Sequence, residues 1–207
     1  MLKKSQILFL VISIFILISQ AEANLIQNGS FEDGKNPGSF ITLGLNSTDI
    51  DCWEVSSGSI DYIGTYWLAS DGVRSIDLSA TQSGGIKVSQ DITTVIGQEY
   101  MVTFDMAGNP MGPPDVKQLR VTVGGSTFDF HFDKTGHSCL DMGWETMMFT
   151  FTATGTTTSM NFENIGSSTA CGAALDNVSM SPVPEPATGL LLFFGLLGVV
   201  GVKKKVS

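Results

Sequence analysis

Positive charge is scarce in this chain: 11 Lys and Arg stand against 20 Asp and Glu in 207 residues, a net charge of −9 at pH 7. Nucleic-acid binding is driven by neutralising phosphates with Lys and Arg, so no nucleic-acid partner is expected. Histidine is nearly missing as well. His131 and His137 are the two present, set apart by a turn, and both read as solvent-facing residues. The three cysteines, Cys52, Cys139 and Cys171, match no zinc spacing. No G-x-S-x-G, H-E-x-x-H or papain-like cysteine context occurs, so nothing marks a nucleophile held against a base. Glycoside hydrolysis needs only two carboxylates at a set distance, but no run such as E-x-D-x-x-E concentrates acids on one strand. A non-catalytic protein is expected. Between the two ends no stretch combines helical periodicity with caps, and no repeat of fixed period appears.

What the chain does have begins at its ends. Lys3 and Lys4 precede an apolar run over 7–18 and then Ala21-Glu22-Ala23. That order reads as a secretory signal peptide over 1–23, leaving Asn24 as the mature N-terminus. At the other end Val183-Pro184-Glu185-Pro186 precedes the sixteen uncharged residues 187–202 and then Lys203–Lys205. As a helix the apolar run is about 24 Å long at 1.5 Å per residue. That falls short of a hydrocarbon core of roughly 30 Å, and four glycines weaken it further. The three lysines would hold the C-terminus on the cytoplasmic side and leave the body outside. An anchor this weak behind so distinctive a motif looks like a signal to be processed.

The body, 24–182, is one domain by length. It holds six basic residues (Lys35, Arg74, Lys87, Lys117, Arg120, Lys134) against eighteen acidic ones, a net of −12. Strand candidates fall at 59–63, 74–78, 86–92, 99–107, 118–123, 127–132, 146–153, 158–162 and 174–180, with Gly-rich turns between them. This spacing predicts an all-β antiparallel sandwich or barrel. Alternation is clearest in "TFDFHF", where Phe128, Phe130 and Phe132 face one way and Asp129, His131 and Asp133 the other, and again in "MFTFTA" at 148–153. Residues 181–186 read as the linker to the tail. In an exported protein three cysteines leave open one disulfide with an odd thiol, or three free thiols. Of the pairings Cys139–Cys171 is the one expected, and by loop entropy it would stabilise by roughly 3–4 kcal/mol.

The densest aromatic cluster is "IDYIGTYWLASDG". Tyr62, Tyr66 and Trp67 could stack on a sugar ring there, with Asp61 or Asp71 hydrogen-bonding its hydroxyls. Aromatics in a sandwich also fill the core, and Trp53 and Trp144 are read mainly in that way.

The proline-spaced acidic motif, the glycine-bearing apolar run and the basic end resemble the PEP-CTERM sorting signal of Gram-negative bacteria. The resemblance implies recognition by a membrane-embedded exosortase, transient anchoring in the inner membrane and release to the outer surface or exopolysaccharide matrix. In the body, "NLIQNGSFEDG" and "ALDNVSM" resemble the first and last strands of galactose-binding-like jelly rolls, including many carbohydrate-binding modules. "NGSFEDG", "SGSIDYIGTYW", "DGVRSIDLSA", "YMVTFDMAGNP" and "ALDNVSM" occur in the order seen in choice-of-anchor C proteins, a bacterial group related to a plant cell-wall family. Where that group has glycine after the "SIDLS" strand, this chain has Ala80. In the carbohydrate-binding relatives the first-strand and last-strand acids share a structural calcium ion, which here implies Glu32 and Asp176 as ligands. Ca²⁺ takes six to eight oxygens, so these two would need help from carbonyls. The function implied is a non-catalytic carbohydrate-binding module of the extracellular matrix with polysaccharide as partner. The alternatives are an adhesive surface protein that binds other proteins, and a carboxylate-based glycosidase.

Overall fold

The computed structural model describes residues 24–166 and 170–184. The expected signal peptide, Glu185 and Pro186 of the sorting motif, and the expected membrane helix at 187–202 lie outside the described residues. Among the described residues no helix is long and apolar enough to cross a membrane.

The described chain is all-β. Its strands are β1 (Phe40–Gly44), β2 (Trp53–Ser57), β3 (Ser59–Ile63), β4 (Ser75–Asp77), β5 (Gly85–Val88), β6 (Ile92–Thr93), β7 (Glu99–Gly108), β8 (Val116–Val123), β9 (Ser126–Asp133), β10 (Glu145–Thr152), β11 (Thr157–Thr158), β12 (Met160–Asn164) and β13 (Ala173–Pro182). A six-stranded sheet in the order β1-β3-β4-β13-β7-β10 and a five-stranded sheet in the order β2-β5-β12-β8-β9 form the two layers, with β6 and β11 as a small separate pair. Every pairing is antiparallel. The expected sandwich is what forms.

Alternation places the core between the layers. On β9 and β10 the phenylalanines turn inward, and Phe128 stacks on Phe149 with centroids 4.1 Å apart. Phe104 of β7 meets Phe130 and Phe162 edge-on at 5.1 and 5.4 Å, joining the two sheets. Trp53 is 1% exposed and lies against Phe31 and Phe162. The N-terminal segment closes on the last strand through Leu25 N–H to Met180 O at 2.8 Å and Val178 N–H to Gly29 O at 2.8 Å.

Two expectations give way here. Ser181 and Pro182 belong to β13, pairing with Met101 and Tyr100, because Tyr100 and Met101 of the long β7 offer a matching edge. The linker therefore begins after the strand. His137 is half-buried against Phe132, at 5.5 Å between ring centroids, and its Nδ1 is buried without a partner. It is not the solvent-facing residue expected, whereas His131 is exposed.

Candidate functional site: an aromatic groove beside Asp61

The segment 64–74, "GTYWLASDGVR", leaves β3 and crosses the outer side of the six-stranded sheet. It is fastened along its length by partners from five places in the chain. Gly64, Thr65 and Tyr66 donate their N–H groups to Ser39 O, Gly38 O and Ser39 O at 2.9, 3.0 and 3.2 Å. A Cβ on Gly64 would overlap Gly38 O, so only glycine permits this close approach. Trp67 Nε1 donates to Ser75 Oγ at 2.8 Å, and Leu68 N–H to Cys139 O at 3.0 Å. Ser70 and Asp71 N–H donate to Asp176 Oδ2 at 2.8 and 3.0 Å. Val73 and Arg74 N–H donate to Glu32 Oε1 at 2.8 and 2.7 Å.

The first of these contacts builds the site. By tying 64–66 to 38–39, it sets Tyr66 next to Phe40, the first residue of β1. The rings meet edge-on, 5.2 Å apart. Phe40 is 44% exposed and Tyr66 half-buried, so both offer ring surface to solvent. Next to them β1 and β3 pair Phe40 with Ile63 and Thr42 with Asp61. These four side chains share the outer face of the sheet. The result is a groove of about 270 Å³ lined by Phe40, Thr42, Asp61, Ile63 and Tyr66, and closed by Asn109, Met111 and Cys171. Thr42 Oγ1 donates to Asp61 Oδ1 at 2.6 Å. Burial pushes the Asp61 carboxyl above its ordinary value, and the Thr42 bond opposes that.

Behind the groove lie acids that alternation alone would leave in solvent. Asp77, Asp105 and Asp176 stand on the outer side of β4, β7 and β13, yet all are buried under the covering segments. Asp77 accepts Asn109 Nδ2 at 2.7 Å and the N–H groups of Ser79 and Gly172 at 2.9 Å each. It therefore fixes Asn109 and the chain beside Cys171, both groove walls. Burial raises it to about 7 against those three donors. Asp176, also pushed up to about 7 by burial, is opposed by N–H donors from Asp71, Asn177 and Ser70. Asp105 sits opposite Asp176 across β7 and β13 and accepts the Ser70 and Thr146 hydroxyls at 2.6 and 2.7 Å.

Of the expected site residues, the structure leaves Tyr66 open. Tyr62 is fully buried: its hydroxyl donates to Phe31 O and accepts from Arg74 Nη1 at 2.8 Å. Trp67 is 3% exposed, because its indole turns under the segment to reach Ser75. Neither can stack on a sugar. Asp71 is exposed, but it lies at the far end of the segment, outside the groove. Asp61 is in the groove. Phe40, Met111 and Asn109 were missed. Phe40 carried a usable signal, since "FITLG" alternates exposed and inward residues around Leu43. Trp53 is core as expected, and Trp144, half-buried, donates its Nε1 to Leu68 O at 2.9 Å.

The expected Cys139–Cys171 bridge is absent, and all three cysteines are free. The two thiols belong to segments fixed separately. The Cys139 carbonyl accepts from Leu68 N–H, while the Cys171 carbonyl accepts Lys117 Nζ at 2.6 Å. Glu32 and Asp176 do come to one segment, as the resemblance implies. Glu32 Oε1 and Asp176 Oδ2 each accept two backbone N–H groups of this segment, and Asp176 Oδ1 accepts Asn177 N–H. Among the described residues no three His, Cys, Asp or Glu side chains group closely enough to hold a metal ion. Two carboxylates alone do not make up the six to eight oxygens that calcium takes, so an ion here would need carbonyl oxygens as well.

Residues 24–181 match the family described as "Protein of unknown function (DUF642)", and residues 182–205 match the PEP-CTERM protein-sorting motif. Among curated proteins the chain is similar to Halomucin of Haloquadratum walsbyi, 37% identical over 175 residues, covering 82% of this chain and 2% of the relative. The chain thus spans about 2% of the length of the curated relative it matches. Among solved structures, an arabinose-bound family 51 α-L-arabinofuranosidase is similar with a TM-score of 0.52 and 13% identity, over 78% of this chain and 26% of that one. A family 61 carbohydrate-binding module in complex with β-1,4-galactotriose has a TM-score of 0.48 and 17% identity, over 78% and 99% of the two chains. The arabinofuranosidase likeness bears on the fold, which is the same kind of sandwich. With its whole described body inside the match, the chain belongs to the DUF642 family and ends in the sorting signal of an exported protein.

Proposed function

We propose that this is a non-catalytic polysaccharide-binding protein of the cell surface or extracellular matrix, delivered there after an exosortase processes its tail. The groove between Phe40 and Tyr66 carries this reading. Two ring surfaces beside a carboxyl and a hydroxyl are what a sugar needs: its C–H faces stack on aromatics while its hydroxyls bond to a few placed polar groups. The acidic body keeps the protein soluble and away from anionic surfaces. The sorting motif supports the destination.

The test is retention of the exported protein on gels that contain matrix polysaccharides. Phe40→Ala and Tyr66→Ala should each weaken binding about three- to tenfold, the worth of one stacked ring. Trp67→Phe, altering a residue turned away from the groove, should bind as the unsubstituted protein does. Equal retention of all three variants would remove the groove from the function.

The calcium reading has its own test. The N–H donors of 70–74 already hold Asp176 and Glu32 to this segment without an ion. We therefore expect the same thermal midpoint in calcium and in EGTA, with Asp176→Ala lowering both. A midpoint that rises with calcium and loses that rise in Asp176→Ala would restore the ion.

A further inference from the structure

The charge of the groove narrows its ligand further, resting on the polysaccharide reading above. Among the described residues no lysine, arginine or histidine lines it. Its carboxyl is Asp61, and the strand register sets Asp77 directly opposite Asp61 on the neighbouring strand. Thr42 satisfies one Asp61 oxygen, and among the described residues no cationic side chain is paired with the carboxyl. Beside it are the ring surfaces of Phe40 and Tyr66, 5.2 Å apart.

Three kinds of sugar chain meet this arrangement differently. A uronate or sulfated chain would bring a second negative charge against Asp61, within a chain of net charge −9. A neutral chain would stack on the rings and hydrogen-bond to Thr42 and Asp61, but it would leave the part-desolvated Asp61 uncompensated. A sugar bearing a protonated primary amine supplies what is missing. Its ammonium would pair with Asp61 while its charge is favoured by the adjacent aromatic faces. We propose that the groove selects polysaccharides with free primary amines, that is, partly de-N-acetylated hexosamine polymers. Acetylation of the amine removes the charge and adds bulk where Asp61 expects a donor, so the degree of acetylation of the polymer sets its affinity.

Calorimetry on the full exported protein tests this with three probes of equal length: de-N-acetylated chitin oligosaccharide, its N-acetylated parent, and a cello-oligosaccharide. The amine form should bind about tenfold or more tightly than either other probe. Asp61→Asn, which keeps the side chain's size and an acceptor for Thr42, should bring the amine and acetylated forms to within about twofold of each other. Tyr66→Ala should weaken all probes together. Equal or tighter binding of the acetylated or neutral probe overturns amine selection while leaving the groove in place. An amine preference that survives Asp61→Asn, or that vanishes for the unsubstituted protein at raised salt, shows diffuse attraction to the acidic surface and overturns it also. If Tyr66→Ala leaves every probe unaffected, the groove itself is wrong, and the polysaccharide reading falls with it.

Discussion

Trp53→Ala is expected to destabilise the domain by about 3–5 kcal/mol, among the largest effects of any single truncation. Three things are lost together. The indole is 1% exposed and fills the space between Phe31 of the N-terminal segment, 4.9 Å away, and Phe162 of β12, 6.2 Å away. Deleting it leaves a cavity that strands on both sides are too constrained to fill. Its Nε1–H donates to Asn28 O at 2.9 Å, and that carbonyl lies in the turn that holds the N-terminus against β13. Asn28 also adopts a positive φ of 54° and bonds through its side chain to Asp33 O and Asp51 O at 2.8 and 2.7 Å. The truncation therefore loosens the junction between the two ends of the body as well as its core. Trp53→Phe separates the contributions: it keeps most of the packing and leaves Asn28 O with Phe31 N–H at 3.1 Å, so it should cost about 1–2 kcal/mol for the lost indole bond and the residual gap. Urea unfolding curves measure both. A midpoint shift in Trp53→Ala worth less than about 1 kcal/mol would show that the core collapses around the gap.

Much of this fold could be read from spacing because the sandwich strands obey the period of two. Phe128, Phe130 and Phe132 point inward and Asp129, His131 and Asp133 outward, as "TFDFHF" says. Where the reading failed, the deciding contacts were long-range. Tyr62 and Trp67 look like a binding cluster in a linear string. Alternation did offer a hint for Tyr62, since Ile60 and Tyr62 share a face in "SIDYI" and both are buried. Trp67 had no such hint. Its burial depends on the segment 64–74 folding back over the sheet, and that path is set by Gly38, Ser39, Asp176 and Glu32, up to about a hundred residues away. The strands β1 and β2 escaped notice because each has one clearly inward pair and a mixed remainder.

The same long-range covering explains why the acids of this sheet could not be placed from sequence. Asp77, Asp105 and Asp176 alternate outward, where an aspartate normally meets water. Here the covering segments take the water's place and supply N–H and O–H donors instead. The sequence resemblance singled out Glu32 and Asp176, and both acids accept backbone N–H groups of the same segment, 70–74. These acids pin the far half of the segment, 70–74, while 38–39 pins the half that carries Tyr66.

Stability should consequently fall as pH rises from about 5 to about 8, the reverse of the usual gain as carboxylates ionise. Asp77 and Asp176 have a value of about 7 when folded, against 3.8 for a free side chain. A group raised on folding favours the native state most below its unfolded value, and that advantage disappears as pH climbs through the folded one. Each should therefore contribute a loss of about 2–3 kcal/mol across this interval, at up to about 1.4 kcal/mol per pH unit. Asp61, raised by burial and facing Asp77, adds in the same direction. Asp129 and Asp133, lowered by Arg120 and Thr135, act oppositely but only below about pH 4. Urea midpoints at stepped pH measure the slope. Asp77→Asn assigns it: the amide has one acceptor for three donors, so the variant is weaker at low pH, but one titrating group is gone and the slope should drop by that share. Midpoints that rise with pH, or a slope unchanged in Asp77→Asn, would mean that the three N–H donors outweigh burial and that these carboxyls are ionised throughout.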